Sequence, residues 1–274
     1  MTLIISWIGM DRKKDGLRPS SLYIASDSRV SWDNGTFFDH GRKVFGCKNS
    51  PDIFGYCGDV LFPSIVLNQI VDLIDEGLLF KPEWSCEEKF QVFINKVIQS
   101  FNNYPKEISS ITSDSLEIIH ASRDLNKTFF CRKMKWTRKD TRWTAEVVDF
   151  GKGSNKLFVA GSAATEFKKK FDEHWASQNS GTSRAVFHAF CDTLAETKDA
   201  RVGGPPQVFG LYRKFNAIPL GIIKDKKRYF NGLEVTDLTN FNQIAWRNEL
   251  FEICDGHTMK IKPNSQAQPN PLKN

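Results

Sequence analysis

The sequence lacks the segments that direct a protein out of the cytoplasm or into a membrane. It has no charged region followed by an apolar signal core, and it has no uninterrupted apolar run of about 18 residues. None of its six cysteines forms a CxxC pair. Most of them lie in apolar segments such as FGYCGDV, where a reduced thiol packs as a small hydrophobic group. These absences predict a cytoplasmic protein that does not use a membrane.

Motifs that bind nucleotides, metals or nucleic acids are also missing. The sequence contains no Walker phosphate loop, no GxGxxG and no GxSxG, and no two of its five histidines are four residues apart. The 38 basic residues exceed the 32 acidic ones, but the basic runs are scattered and no aromatic RNA-recognition box accompanies them. We therefore expect no cofactor, no metal and no nucleic-acid partner.

The residues that are present predict blocks of strands alternating with pairs of helices. Hydrophobic residues make up 40% of the 274 positions, which is enough for a large apolar core. Strand patterns cover 3–10, 22–29, 43–47, 53–58, 116–150, 156–162 and 206–225, and helical spacing covers 67–74, 90–101, 167–175 and 186–194. Because the strands come in hairpins and the helices in pairs, the pattern favours a layered α+β fold over a parallel βαβ fold.

The chain is expected to form one domain over residues 1–258. A long polar loop at 11–20 is predicted to join the first two strands, and the strands at 116–162 are predicted to form a second sheet. A last amphipathic segment spans 241–253, and the polar tail at 259–274 is expected to be disordered.

The second residue offers a nucleophile. Methionine aminopeptidases remove Met1 when a small residue follows, so the mature chain is expected to begin at Thr2. A free N-terminal threonine carries both a hydroxyl and an α-amine with a pKa of about 7.7–8.0, which can accept the hydroxyl proton. Such a site needs a cation and a carboxylate to hold it, and the candidates are Lys43 and Asp27.

The motifs TLIISW, ASDSRV, RKVFG and GYCGDV occur in this order, with Asp27 and Lys43 sixteen residues apart. This set resembles the proteasome β-subunit family and its bacterial relatives, the N-terminal-nucleophile (Ntn) hydrolases of the threonine-peptidase type. The resemblance implies a four-layer αββα sandwich, in which two antiparallel sheets lie between helix pairs. It also implies that Thr2, Asp27 and Lys43 are catalytic and that the backbone N–H of Gly58 forms the oxyanion hole.

The resemblance continues in the second half of the chain. The segment VAGSAA implies a supporting hydroxyl at Ser162, and TKDARVGG implies a supporting carboxylate at Asp199. The sequence departs from the family pattern at two positions, where Val202 replaces a serine and Ala163 replaces a glycine. The loss of the serine hydroxyl removes one expected partner of the threonine amine.

Each of these residues also has a purely structural interpretation. Asp27 and Lys43 can form an ion pair without catalytic function, and Ser162 can cap the following helix. Thr2 can be an ordinary first residue, Gly58 a glycine at a strand end, and Asp199 a loop carboxylate. The sequence alone leaves these alternatives open.

The resemblance implies a threonine-type endopeptidase that hydrolyses peptide bonds in peptides or unfolded proteins. Phe45 and Tyr56 are predicted to line a shallow substrate pocket that favours small or medium side chains, because each lies two residues from a site residue on the same strand face. The family further implies a homo-oligomer and, for members that degrade proteins, an ATP-dependent unfoldase. The alternatives are an inactive structural subunit, a small-amide Ntn amidohydrolase and, as a third class, a basic nucleic-acid-binding module.

Overall fold

Strands dominate the fold. The computed structural model describes residues 2–14, 16–105, 115–149, 156–236, 240–263 and 265. The strands are β1 (Leu3–Lys13), β2 (Gly16–Ser26), β3 (Val30–Ser31), β4 (Phe37–Phe38), β5 (Val44–Gly46), β6 (Asp52–Gly58), β7 (Ser115–Arg123), β8 (Phe129–Thr137), β9 (Trp143–Val147), β10 (Lys156–Gly161), β11 (Gln207–Tyr212), β12 (Ile218–Lys224), β13 (Lys227–Phe230), β14 (Leu233–Glu234), β15 (Ala245–Asn248) and β16 (Ile253–Cys254). The helices are α1 (Leu61–Asp75), α2 (Cys86–Asn102), α3 (Ala164–Trp175) and α4 (Ser183–Glu196), with a 3₁₀ turn at Phe241–Gln243.

Two large sheets form the centre of the molecule. One has the order β10-β1-β2-β11-β12-β13-β14, with β15 parallel to β12 and β16 beside β15. The other is antiparallel, with the order β5-β6-β7-β8-β9, and β3 and β4 form a separate small ribbon. The helices α1 and α2 cover the five-stranded sheet, and α3 and α4 cover the larger one. This is the predicted layered α+β sandwich, and the prediction is confirmed.

Three apolar cores separate these four layers. The side chains between the five-stranded sheet and its helices include Phe54 and Phe93, whose rings lie 4.6 Å apart. Ile4 and Ile24 of one sheet meet Ile53 of the other in the middle core. The third core, under α3 and α4, contains Trp7, Tyr23, Phe167, Phe187 and Phe190. The sheets therefore pack face to face, and each keeps its other face for a helix pair.

Local sequence explains where two of the helices begin. The side chain of Ser85 accepts a hydrogen bond from the Glu88 N–H at 3.2 Å, and the Glu88 carboxylate accepts one from the Ser85 N–H at 2.8 Å. This capping box satisfies two backbone donors at the start of α2. Thr182 caps α4 in a similar way, accepting a hydrogen bond from the Ala185 N–H at 3.3 Å.

The first hairpin differs from its prediction. The sequence predicts a polar loop at 11–20, whereas β1 and β2 remain paired as far as Lys13 and Gly16, with a shift of register after Gly9. Asp15 lies outside the described residues. A strand ladder is held by backbone hydrogen bonds, so it extends past the core into a polar segment that has no hydrophobic alternation.

The assignment of strands to sheets is also corrected. The strands predicted at 116–150 join β5 and β6 instead of forming a sheet of their own, while β10 pairs with β1 on the other side of the molecule. The strand pattern shows that a segment is extended, but it carries little information on which strand lies beside it. The predicted hairpin of β11 and β12 is confirmed.

The C-terminal region forms a small extension of the larger sheet. The amphipathic segment at 241–253 forms the 3₁₀ turn and the strands β15 and β16, with the Trp246 indole donating to the Phe241 carbonyl at 2.6 Å. In the predicted tail, Ile261 makes a β-bridge with Cys254, and the Ser265 hydroxyl donates to the Ile253 carbonyl at 3.2 Å. Residues 264 and 266–274, where disorder is predicted, lie outside the described residues.

Two further observations concern the cysteines and the helices. All six cysteines are buried free thiols. In the part of the chain that the structure describes, none of the helices combines the length and the apolar character that crossing a membrane requires.

Candidate active site

Thr2, Asp27 and Lys43 meet at one end of the sandwich. Thr2 precedes β1, Asp27 directly follows β2, and Lys43 directly precedes β5. The Lys43 Nζ donates to Thr2 Oγ1 at 2.8 Å and to Asp27 Oδ1 at 2.8 Å. All three residues are at most 1% exposed. The structure therefore brings together the three residues that the sequence singles out, although they belong to three different segments.

Backbone amides fix the Asp27 carboxylate. Its Oδ1 accepts from the Leu3 N–H at 3.1 Å, and its Oδ2 accepts from the N–H groups of Gly203 at 3.1 Å and Arg29 at 3.2 Å. Together with the Lys43 ammonium, these N–H groups give the two carboxylate oxygens of Asp27 four hydrogen-bond donors. Such charge-assisted bonds hold the buried carboxylate in one orientation.

Burial changes the acidity of Lys43. Removal from water lowers the pKa of the Lys43 amine, and the charge and hydrogen bond of Asp27 offset only part of this effect, so the pKa lies below its ordinary value. The ammonium therefore releases its proton more readily than that of a surface lysine. A lysine of this kind can stabilise a developing alkoxide on Thr2 and take part in proton transfer.

Gln207 is a site residue that the sequence prediction missed. It opens β11 and is 1% exposed. Its Oε1 accepts from the Lys43 N–H at 3.0 Å, while its Nε2 donates to the Gly41 carbonyl at 2.6 Å and to the Ser28 hydroxyl at 2.8 Å. Gln207 thus ties the segment after Asp27 to the segment before Lys43. The sequence feature that could have indicated Gln207 is a polar residue at the start of an otherwise apolar segment, QVFGLY.

Gly161 sets the position of the Thr2 backbone. It ends β10 opposite Leu3, with φ of +102°, and a Cβ at this position would lie 1.8 Å from the Thr2 carbonyl oxygen. Only glycine adopts this backbone conformation without strain, and only glycine leaves room for the Thr2 backbone. Gly161 lies within the motif VAGSAA, for which only the role of Ser162 was predicted.

Replacing Gly161 by alanine is expected to lower both stability and any activity that depends on Thr2. The new methyl group must displace the Thr2 backbone, and we expect a loss of about 3 kcal/mol or more in the free energy of unfolding. Gly77→Ala is the matched control, because Gly77 also has a positive φ, +69°, but nothing lies within 4 Å of its Cβ position. Urea denaturation of both variants should show a clearly larger loss for Gly161→Ala, and equal losses would contradict a steric role.

Ser162 and Asp199 also come together, but with an additional partner. The Arg201 guanidinium donates to Asp199 from its Nε at 2.8 Å and its Nη2 at 2.9 Å. These bonds, assisted by a hydrogen bond from Ser162, hold the pKa of the Asp199 carboxyl well below its usual range. Val202, at the position of the family's serine, is buried in the core beneath α3 and α4. The structure thus gives Asp199 an arginine in the segment where the family has a hydroxyl.

Gly58 ends β6 with φ of +99°, and a Cβ there would lie 2.0 Å from the Ser115 carbonyl oxygen. Strand packing alone therefore requires glycine at this position. Its neighbour Cys57 has a thiol whose pKa is raised by burial, while the nearby Lys43 charge acts in the opposite direction. This places the end of β6 near the site, and the oxyanion role of Gly58 stays a prediction.

Phe45 and Tyr56 lie in the core instead of on an open wall. They are 2% and 1% exposed, and their rings stack at 6.4 Å within the core under α1 and α2. The Arg42 guanidinium covers the Phe45 ring at 4.6 Å, and the Tyr56 hydroxyl donates to the Arg42 carbonyl at 3.1 Å. A substrate side chain would have to displace Arg42 to reach them, and their role in a pocket stays a prediction.

An open cleft of about 540 Å³ lies beside the site. Asp199 and Gly203 belong to its lining, and Gly203 also donates to Asp27. The rest of the lining carries charges of both signs, including Arg29, Lys224 and Glu234. The cleft therefore presents a polar surface next to the buried Asp27 and Lys43.

The chain is similar to known proteins in its structure. No protein-family model and no curated protein sequence matches the chain. The structure is similar to Anbu (ancestral beta-subunit) from Yersinia bercovieri, with a TM-score of 0.53 and 13% identity over 84% of this chain and 87% of that chain. It is also similar to an Anbu Gly-1 mutant from Hyphomicrobium sp. strain MC1, with a TM-score of 0.49 and 11% identity over 85% of this chain and 87% of that chain. Thiobacillus denitrificans BPH in complex with epoxomicin gives a TM-score of 0.48 and 12% identity over 77% of this chain and 99% of that chain.

The likeness to the Yersinia protein defines the class of fold. The chain has the α+β Ntn-hydrolase fold of proteasome-like β subunits, as the motifs around Asp27 and Lys43 predict. At 13% identity this likeness concerns the fold, so activity has to be argued from the site itself.

Proposed function

We propose that this chain is a threonine-type endopeptidase of the proteasome β-subunit kind, in which removal of Met1 exposes Thr2 as the nucleophile. The observation that carries this proposal is the buried Lys43 Nζ, which lies 2.8 Å from both Thr2 Oγ1 and Asp27 Oδ1. Nucleophile, cation and orienting carboxylate are thus in direct contact.

The proposed reaction begins with attack of Thr2 Oγ1 on the peptide carbonyl carbon. The free α-amine of Thr2 takes the hydroxyl proton, directly or through a water molecule, and later passes a proton to the departing amine. Lys43 stabilises the alkoxide, Asp27 orients Lys43, and the Gly58 N–H receives the oxyanion. Water then hydrolyses the acyl ester on Thr2 and regenerates the hydroxyl.

The backbone at Thr2 supports the processing step. Thr2 has φ of +120°, a region that is costly for a β-branched residue. The φ angle of a residue involves the carbonyl carbon of the preceding residue, so cleavage of the Met1–Thr2 bond removes this torsion altogether. The strain disappears in a chain that begins at Thr2.

Peptides or unfolded proteins are the proposed substrates, with preference for small or medium side chains. We also propose a homo-oligomer, which an ATP-dependent unfoldase would supply with unfolded chains. Large exposed apolar side chains often mark a surface that contacts another protein. The β3–β4 ribbon near the site carries three of them, since Trp32, Phe37 and Phe38 are 53, 55 and 49% exposed.

The mass of the intact protein tests the proposal most directly. We expect the purified chain to lack Met1, because a free Thr2 amine is required for proton transfer. Thr2→Leu is the control and should retain Met1, since the aminopeptidase accepts only small second residues. A wild-type chain that keeps Met1 would contradict the peptidase proposal.

The second candidate is a non-catalytic structural subunit with the same fold. The observation in its favour is the Asp199 carboxylate, which is engaged by Arg201, together with the buried Val202 in place of a serine. A chain that loses Met1 but neither turns over peptides nor reacts with a threonine-directed probe would support this candidate.

A further inference from the structure

Two histidines and an aspartate meet between α3 and α4, away from the residues of the candidate active site. His174 lies in the last turn of α3, while His188 and Asp192 lie one helical turn apart on α4. Within the described residues, this is the group of His, Cys, Asp and Glu side chains that could hold a metal ion, and one ligand atom from each lies within 4.8 Å of the others.

The distances within this group suit a shared cation. His174 Nε2 lies 2.7 Å from Asp192 Oδ2, His188 Nε2 lies 3.5 Å from Asp192 Oδ1, and the two imidazole rings are 4.3 Å apart between centroids. A tetrahedral zinc ion with bonds of about 2.0–2.1 Å holds its ligand atoms about 3.3 Å apart. The His174 distance, which is that of a hydrogen bond, is shorter than this value and the His188 distance is longer, and each is measured to a different oxygen of Asp192.

The chemistry of the group also favours a metal. Each imidazole offers one ring nitrogen and the carboxylate one oxygen as a ligand atom. The side chains of His174, His188 and Asp192 are 18, 29 and 32% exposed, so an ion and a bound water can reach the site.

The surrounding charges are largely compensated. Arg184, the cation nearest to His188, pairs with Glu252 at 2.9 Å, and Lys170 pairs with Glu196 at 2.7 Å. The Asp192 carboxylate lies against both imidazoles. A divalent cation is therefore not repelled by its surroundings.

We propose that His174, His188 and Asp192 bind Zn²⁺, with a water molecule as the fourth ligand, and that the ion links α3 to α4. The donor set of two imidazoles and one carboxylate is one that zinc accepts. The expectation of no metal was based on the spacing of histidines alone. It overlooked the pair of His188 and Asp192, four residues apart, and a third ligand that only helix packing supplies.

Calorimetric titration of the tag-free, full-length chain with Zn²⁺ tests this proposal. We expect binding of one equivalent, a rise in melting temperature of about 5 °C at a hundredfold excess over Kd, and visible absorption of a tetrahedral site when Co²⁺ is the probe. The variants His174→Gln, His188→Gln and Asp192→Asn should each weaken binding by about 100-fold. The Asp192→His variant should retain binding, because it supplies a third imidazole.

His257→Gln is the matched control, since His257 lies outside the group, and it should bind zinc as the wild type does. The melting temperature of each variant without metal establishes that it is folded. The proposal is overturned if the wild type shows no one-equivalent binding. It is also overturned if folded His174→Gln and His188→Gln bind as tightly as His257→Gln.

Discussion

Thr2→Ala is expected to abolish peptide hydrolysis, with a loss of about 10⁴-fold or more, while the protein stays folded. The substitution removes the only atom that can form the acyl ester, and an alanine amine has no hydroxyl to activate. Lys43 loses its contact with Thr2 Oγ1 but keeps Asp27 at 2.8 Å. The buried ion pair is therefore preserved, and the change in stability should stay near 1 kcal/mol.

Thr2→Ser is the control for this experiment. Serine keeps the hydroxyl and the amine and is also small enough for removal of Met1, so measurable activity and covalent labelling by an epoxyketone or β-lactone probe should remain. Fluorogenic peptides and small acyl amides should be assayed in parallel, and turnover of the amides alone would favour the small-amide amidohydrolase. Equal labelling of wild type and Thr2→Ala would exclude Thr2 as the nucleophile.

The sequence predicted the layers of the fold and the β11–β12 hairpin, but not which sheet the strands between α2 and α3 join. Period and turn residues identify the long strands and all four helix positions, because both depend on local side-chain alternation. They did not identify β15 and β16, since the segment at 241–253 was predicted only as amphipathic. The junction of β10 with β1 and the inclusion of β7–β9 in the sheet of β5 depend on contacts between distant segments. No local pattern encodes these contacts, and this is why the second sheet was assigned wrongly.

In the candidate site, too, some residues were predicted from the sequence and others were not. Asp27 and Lys43 were predicted because their types and their spacing follow a known motif. Gln207 and Gly161 were not, because their roles arise from where the folded chain places them: one bridges two loops, and the other leaves room for a backbone. The same holds for His174, which reaches His188 only when α3 packs against α4.

The Asp27–Lys43 pair is expected to behave as one unit in a double-mutant cycle. Lys43→Met leaves a buried carboxylate with three backbone donors, and Asp27→Asn presents an amide NH₂ to groups that are themselves donors. Each single variant should lower the free energy of unfolding by about 3–5 kcal/mol. The double variant should cost less than the sum by about 1–3 kcal/mol, because its buried charges have been removed together.

Urea denaturation of the wild type, the two single variants and the double variant measures this coupling. The exposed pair of Lys227 and Glu234, 2.9 Å apart, is the matched control, and its coupling energy should not exceed about 1 kcal/mol. Additive losses at Asp27 and Lys43, within about 0.5 kcal/mol, would contradict the cooperative pair.

The catalytic role of the pair predicts a result that stability alone does not. Lys43→Met should reduce labelling of Thr2 by the epoxyketone probe by about 10³-fold or more under conditions where the variant is fully folded. Lys43→Arg keeps the positive charge but has a larger head group in a fully buried position, so it should restore little reactivity. If folded Lys43→Met reacted with the probe at the wild-type rate, the contact between Lys43 Nζ and Thr2 Oγ1 would be structural and would not activate the threonine hydroxyl.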